Sequence, residues 1–366
     1  MLFKRFAALL MVLSMAAGAG CDRQVEVRAE LDLSSDEPTP IKAVIVTMFE
    51  NGELTGDRPG EFQYWVERWP LADEFEFPLG EFPLRASLKD GVLGLCVGGG
   101  IANATASIMA LGQDPRFDLS SAYWLVAGIA GGDPTDVSLG SAVWARHVVD
   151  GDLLYEIDAR EIPEDWPYGL IPLGAKKPAE TPADISTGWT LNTVHFALNA
   201  ALADWAYAQT ADVELADTEA MQDFRAQYTT MENAQRPPFV TQGDTLSSGT
   251  YWHGALLNQW ANDWVPLYAG EGAEFMTTNM EDSGTFTALH RLGRIGKVDP
   301  DRVMVLRTVS NFSMPPADRT AAWSTTAPYP DQGRPALDAA YLVGSKVLRE
   351  LLAGWETYAT DIPAAE

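Results

Sequence analysis

The chain has 366 residues, 46% of them apolar, enough for one large α/β domain or two smaller ones. Its 51 acidic residues against 25 basic ones leave a net charge of −26, which excludes partners held by an anionic surface. A nucleic-acid backbone or an acidic membrane is repelled, and a neutral or cationic small ligand is easier to accommodate.

Lys4 and Arg5 precede an apolar run from Phe6 to Ala17, and the small residues Gly18, Ala19 and Gly20 precede Cys21. Residues 1–20 read as a secretory signal peptide, too short for a membrane span. The small residues before Cys21 match a bacterial lipoprotein cleavage site, which makes Cys21 a lipidated N-terminus. Gly18 stands where a bulky aliphatic residue is usual, so cleavage after Ala19 by the general signal peptidase is the alternative. Residues 21–39 are polar and acidic, a tether, and 40–366 form a single domain. The expectation is an exported cell-envelope lipoprotein, periplasmic, that meets the membrane only through its N-terminal lipid. Only Cys96 then remains, at the end of an apolar strand, where a buried inert thiol is expected and no intramolecular disulfide can form.

The domain begins with Pro40 to Thr47, a β-rich run too apolar for a one-sided sheet and therefore a central strand. Met48 to Gly52 is the loop at its end. Glu61 to Leu84, with Trp65 and Trp69, is less regular and reads as a hairpin or lid. Gly91 to Val97 is a second buried strand, followed by Gly98-Gly-Gly-Ile-Ala-Asn-Ala104 and an Ala-rich helix through Leu111. Glycines at such a turn let backbone N–H groups approach a ligand, though a tight turn packed for its own sake has the same composition. Ala122 to Ala127 is a third strand, ending in the glycine turn Gly128 to Gly132, and Ser138 to Val149 is another. The recurrence of strand, glycine turn and helix predicts an α/β fold with a mainly parallel sheet covered on both faces.

Beyond a proline-rich connection from 150 to 185, the spacing predicts a helix over Leu191 to Tyr207 and an acidic helical stretch from Glu214 to Gln227. Gln242 to His253 reads as a loop whose hydroxyls and aromatics suit a flat ring, or as a surface loop pinned by Trp252. The apolar strand Arg302 to Val309 ends at Ser310-Asn311. Ala336 to Tyr358 is an amphipathic helix with Leu342, Val343, Val347, Leu348, Leu351 and Leu352 on its apolar positions.

The stretch Asn279 to Pro315 brings two polar groups to the ends of neighbouring elements, where ligands bind in α/β folds. Glu281 has no cationic partner nearby in sequence, and a carboxylate offers two acceptor oxygens to a vicinal diol; alternatively it caps the helix that starts near Ser283. Asn311 offers one donor and one acceptor to a purine edge, or simply turns the chain after its strand. The four histidines, 147, 195, 253 and 290, are scattered without metal spacing, and no metal is expected. Neither glycine cluster fits a dinucleotide or phosphate-loop motif, so no cofactor is expected, and there is no G-x-S-x-G elbow.

Taken in order, Val46-Thr-Met-Phe-Glu50, Gly98 to Ala104, Ala127-Gly-Ile-Ala-Gly-Gly132 with Ser138 to Val143, Met280-Glu281 and Arg307 to Asn311 resemble the nucleoside phosphorylase and nucleosidase superfamily. Within it the chain is similar to the purine nucleoside permease (NUP) family, through Trp252-His-Gly254, Asn279-Met-Glu-Asp282, Leu306 to Pro315, Val343-Gly-Ser345 and Trp355 to Pro363. The resemblance implies a nucleoside-phosphorylase-like three-layer αβα fold with a mixed, mainly parallel central sheet. It implies binding of purine nucleosides in support of their uptake, and a homo-oligomer. A chain without membrane helices presents a nucleoside to a membrane transporter rather than carrying it across.

By the same resemblance the substrate-binding positions are Met48, Gly99, Asn103, Gly128, Trp252, Met280, Glu281, Ser310 and Asn311. Glu281 would hold the ribose diol, Met280 pack under the sugar, Asn311 bond the base and Trp252 stack or close the site. The rival activity is extracytoplasmic cleavage of the N-glycosidic bond, with Glu50 as the base that activates water and Asn311 as the group facing the leaving purine. A nucleosidase is favoured over a phosphorylase, because neither the Met48 to Glu53 nor the Val97 to Asn103 loop supplies an arginine for phosphate; only Arg58 or Arg146 could reach in.

Overall fold

Ala43–Thr47 is buried at every position, the signature of a strand covered on both faces, and it pairs in parallel with Val92–Cys96 on one side and Tyr123–Gly132 on the other. The computed structural model describes residues 37–185 and 192–365. The signal peptide, Cys21 and tether residues 22–36 lie outside the described residues. From Glu37 onward the chain is one compact unit.

The central sheet runs, edge to edge, through His195–Ala197, His147–Asp150, Asp244–Ser247, Phe275–Asn279, Tyr123–Gly132, Ala43–Thr47, Val92–Cys96, Leu84–Ser87 and Asp73–Phe75. The strand Val303–Phe312 branches from it, pairing in parallel with Tyr123–Gly132 and antiparallel with Ala142–Trp144. The sheet is therefore mixed: parallel from Tyr123–Gly132 through Ala43–Thr47 to Val92–Cys96, and antiparallel where Phe275–Asn279 meets Tyr123–Gly132 and at both ends. Because successive residues of a strand face opposite ways, Ala43 and Ile45 join one apolar cluster while Val44 and Val46 are equally buried on the other side. That first cluster receives Trp65 from the helix Gln63–Arg68, Leu202 and Trp205 from Ala200–Thr210, and Val343, Val347, Leu348 and Leu351 from Arg334–Ala353. The architecture is a three-layer α/β fold.

Several local expectations are corrected. Gly128–Gly132 is not a turn: it is the second half of a ten-residue strand. A Cβ on Gly132 would lie 2.7 Å from Val137 and Val309 carbons, so this glycine serves close packing inside the sheet. Ser138 to Val149 is two short strands, Ala142–Trp144 and His147–Asp150. The helix expected from Leu191 starts at Ala200, where Asn199 accepts from the amides of Ala201 and Leu202. Ahead of it, Val194, Phe196 and Leu198 are buried alternately around the edge strand His195–Ala197. The acidic helix is confined to Glu219–Arg225. Asp244–Ser247 is a buried strand within the expected loop. Leu342 is exposed rather than in the core, and the last helix breaks at Gly354 before a short turn, Trp355–Tyr358. Glu61 to Leu84 holds a helix and one arm of a hairpin, Asp73–Phe75 with Leu84–Ser87.

Tolerance of a methyl group differs sharply between the strand glycine Gly132 and the loop glycine Gly99. Gly132→Ala is expected to lose about 1–3 kcal/mol of stability by overpacking against Val137 and Val309. Gly99→Ala, whose Cβ meets nothing within 4 Å, is expected to change it by about 0.5 kcal/mol or less. Urea unfolding of both variants checks this; equal losses would contradict the packing described.

Candidate functional site

Asn279 ends its strand and organises the turn and helix start after it. Its side-chain carbonyl accepts from the amides of Glu281 and Asp282, and its amide donates to Asp282 and to Thr245. The first turn of the helix Asp282–Gly293 is thus capped from outside by Asn279, and Ser247 Oγ accepts from Ser283 N. Glu281 occupies the cap position without capping, so its side chain is free for another task. Its Oε1 accepts from Gly100 N at 3.0 Å and its Oε2 from Met280 N at 3.2 Å. Each oxygen keeps a lone pair, so the carboxylate can still receive two hydroxyls. The glycine loop 98–100 and the Met280-Glu281 turn are thereby joined.

Arg307, in the middle of an apolar strand, is 1% exposed. Its guanidinium forms a two-pronged pair with Asp282, donates to Ile129 O at 3.1 Å, and lies 3.8 Å from Glu281 Oε2. Glu61 closes the group. Its carboxylate is fully buried and accepts from Met48 N and Ile129 N, both at 2.7 Å. Gly128 is where these meet: a Cβ there would lie 2.7 Å from Arg307 Nη1 and Met48 Sδ and 2.8 Å from Glu61 Oε1. Only glycine leaves room for them.

Three carboxylates therefore face one guanidinium. Asp282 takes the guanidinium, leaving Glu61 and Glu281 undercompensated. Burial pushes the Glu61 carboxyl from its ordinary 4.5 up to about 8, opposed by Arg307 and reinforced by Glu281. Burial also raises Glu281, with Arg307 opposing. Glu61 consequently holds a proton at neutral pH and sits at the threshold of releasing it, the condition a general acid or base requires. Sequence reasoning missed both Glu61 and Arg307. The readable signal was an arginine inside an otherwise apolar strand, which is stable only with a buried acidic partner.

Glu50 is corrected. Its carboxylate is consumed by backbone amides, accepting from Asn51, Gly60, Phe62 and Gln63, and it staples the 50–63 loop. That leaves it poorly suited to activate water, and Glu61 is the better placed acid. Trp252 is corrected as well: it is 8% exposed and packs against Trp260 and Phe275 in the core. Its neighbours Tyr251 and His253 instead line a cavity of about 350 Å³ together with Ser310 and Asn311. Ser310 is the extra residue of a bulge between Val309 and Asn311, and its hydroxyl donates to Ala130 O and to the Asn311 carbonyl. Gly99 and Asn103 are exposed, with Asn103 donating to Gly99 O, and Met280 is half-buried. Met48, Gly128, Gly100 and Glu281 are brought together around Arg307, while Ser310 and Asn311 belong to the adjacent cavity, which none of Met48, Glu61 or Glu281 lines.

Arg146 is tied to Asp204 and does not supply an anion site. The histidines are not all scattered: His147 Nδ1 lies 3.0 Å from His195 Nε2 across the sheet edge. Among the described residues, no group of three His, Cys, Asp or Glu side chains is placed to hold a metal ion. Cys96 is buried, which raises its thiol and makes it unreactive.

The Glu61 proton has a thermodynamic consequence. Its folded pKa of about 8 lies above the ordinary 4.5, so its stabilising contribution is complete below 4.5 and is lost as pH rises through about 8. Between those limits the wild type is expected to lose about 1.4 kcal/mol per pH unit relative to Glu61→Gln. Denaturant unfolding at pH 5, 6, 7 and 8 measures the difference, and parallel profiles would refute it.

The sequence model of one protein family, described as purine nucleoside permease (NUP), matches residues 40–363. A purine nucleoside permease of Candida albicans is 32% identical over 267 residues, 72% of this chain and 64% of the relative. The chain thus spans less than two thirds of that relative's length. A probable purine nucleoside permease of Schizosaccharomyces pombe is 31% identical over 277 residues, 74% of this chain and 79% of the relative. Among solved structures, a 5′-methylthioadenosine/S-adenosylhomocysteine nucleosidase from S. pneumoniae aligns with a TM-score of 0.49 and 14% identity, covering 86% of this chain and 99% of that one. The corresponding Neisseria meningitidis nucleosidase aligns at 0.45 and 16%, covering 86% and 100%. By the family match over nearly all of its described residues, the chain belongs to the purine nucleoside permease family.

Proposed function

We propose that the protein binds purine nucleosides in support of their uptake. The observation that carries this reading is Glu281, a buried carboxylate fixed by the amides of Gly100 and Met280 with one lone pair on each oxygen left for a ribose diol. Asn311, re-aimed by the bulge at Ser310, keeps one amide hydrogen and one lone pair for the edge of the base. The relatives' names support the same ligand class. No helix of the described residues is long and apolar enough to cross a membrane, and in this reading the chain delivers its ligand to a transporter in the same envelope. Lipidation of Cys21 would hold it there.

Glu61 favours a second reading, hydrolysis of the N-glycosidic bond. In its ionised form, which grows as pH rises toward about 8, the Glu61 carboxylate beside Glu281 can take a proton from water as that water attacks the anomeric carbon. The electron pair of the broken C–N bond goes to the purine, which takes up a proton from solvent as Glu61 returns its own to solvent; Glu281 stabilises the positive charge developing on the sugar, and the products are free base and ribose.

Titration of protein lacking residues 1–21 with adenosine, guanosine and inosine, while free base is followed, separates the readings. Glu281→Ala is expected to weaken binding at least 100-fold, and unchanged binding would overturn both. Base release that Glu61→Gln lowers by about 10²–10⁴ while sparing binding would establish the hydrolase. Binding with no base release would establish the receptor. For the anchor, mass spectrometry of the mature N-terminus is expected to show a lipid on Cys21 that Cys21→Ser abolishes; an unmodified N-terminus at Gly20 or Cys21 would exclude it.

A further inference from the structure

The cavity beside Asn311 is larger and more aromatic than the edge of a purine requires. Its volume of about 350 Å³ lies in the range of pockets that enclose a whole small ligand. Its walls are rings. Phe224 and Trp323 stack at 5.8 Å and 28°, and Tyr228 packs on Phe312 at 4.5 Å. The polar tips of the wall are turned to protein. Tyr228 donates to Met314 O, and the hydroxyls of Tyr251 and Tyr329 bond each other at 2.6 Å. What the cavity offers is therefore ring faces, with Asn311 and two buried, unpartnered polar atoms, His253 Nε2 and Ser324 Oγ, among the residues that line it.

Neither Glu281 nor Glu61 lines the cavity. A nucleoside with its ribose on Glu281 and its base at Asn311 presents to this space whatever the base carries on its exocyclic nitrogen. We infer that the aromatic cavity is a subsite for a flat apolar group on that nitrogen, and that the preferred ligands are purine nucleosides bearing such a substituent through a secondary amine. The remaining N–H of that amine is donated to the unpartnered Nε2 of His253, which lines the cavity with Asn311. The apolar arm stacks between Trp323 and Tyr329, where burial of its surface adds affinity that adenosine lacks. The inference rests on the proposed nucleoside reading of Glu281 and Asn311.

The test is calorimetric titration of the protein lacking residues 1–21 with adenosine, N6-benzyladenosine and 5′-methylthioadenosine. The benzyl derivative is expected to bind at least 10-fold more tightly than adenosine. Trp323→Ala is expected to cut that ratio at least fivefold, and Phe224→Ala, which removes the ring stacked on Trp323, to cut it as well. Adenosine that binds while N6-benzyladenosine binds equally or more weakly would overturn this inference alone. A gain for 5′-methylthioadenosine that Trp323→Ala removes would assign the cavity to the sugar side, and would also overturn it. Binding of none of the three would remove the nucleoside reading and the subsite with it.

Discussion

The pair between Arg307 and Asp282 is the constraint on which the site depends. It lies in the interior, joining a strand to the first turn of a helix, with a third bond from Arg307 to the carbonyl of Ile129. An ion pair in such a place adds little net stability over an apolar pair of the same shape, because both charges have been stripped of water. Its effect is to fix positions. The guanidinium ties together the Met280-Glu281 turn, the Val303–Phe312 strand and the Tyr123–Gly132 strand, and those three carry the groups assigned to the ligand.

The same cation is outnumbered. With Asp282 already bonded to it, the remaining field is shared by two buried acids that cannot both ionise at low cost. Glu281 has backbone amides and the nearer approach to Arg307, while Glu61 receives its two amides in the deeper position and keeps its proton. Burial raises both carboxyls, and their different neighbours set them apart. Gly128 makes the arrangement possible, since any side chain there would occupy the space that Met48, Glu61 and Arg307 share.

Much of this fold was legible because apolar runs with little alternation are strands buried on both faces, and Ala43–Thr47, Val92–Cys96 and Val303–Phe312 have that pattern. The errors have identifiable causes. Glycines at 128–132 have the composition of a turn, yet tertiary packing uses them as strand residues where side chains would collide. Val194, Phe196 and Leu198 alternate with a period of two, which the longer helical pattern from 200 onward obscured. Within the site, the Met280-Glu281 turn and Ser310-Asn311 could be singled out as polar residues at element ends. Glu61 could not, because nothing in Gly60-Glu-Phe-Gln63 distinguishes a fully buried acid from an exposed one. Glu50 and Trp252 show the converse: residue type and approximate position were suitable, but Glu50 spends its acceptors on its own loop and Trp252 turns toward the core while its two neighbours face the cavity.

The bulge at Ser310 has a consequence for how relatives of this chain are compared. Strand side chains alternate between faces, so one additional residue reverses the side on which everything after it emerges. Asn311 faces its cavity because of that residue count as much as because of its amide. A homologue that keeps the asparagine but lacks one residue in this strand would present it to the opposite layer, and an alignment that closes such a gap would score the position as identical. At this point of the chain, length carries more information about shared activity than identity does.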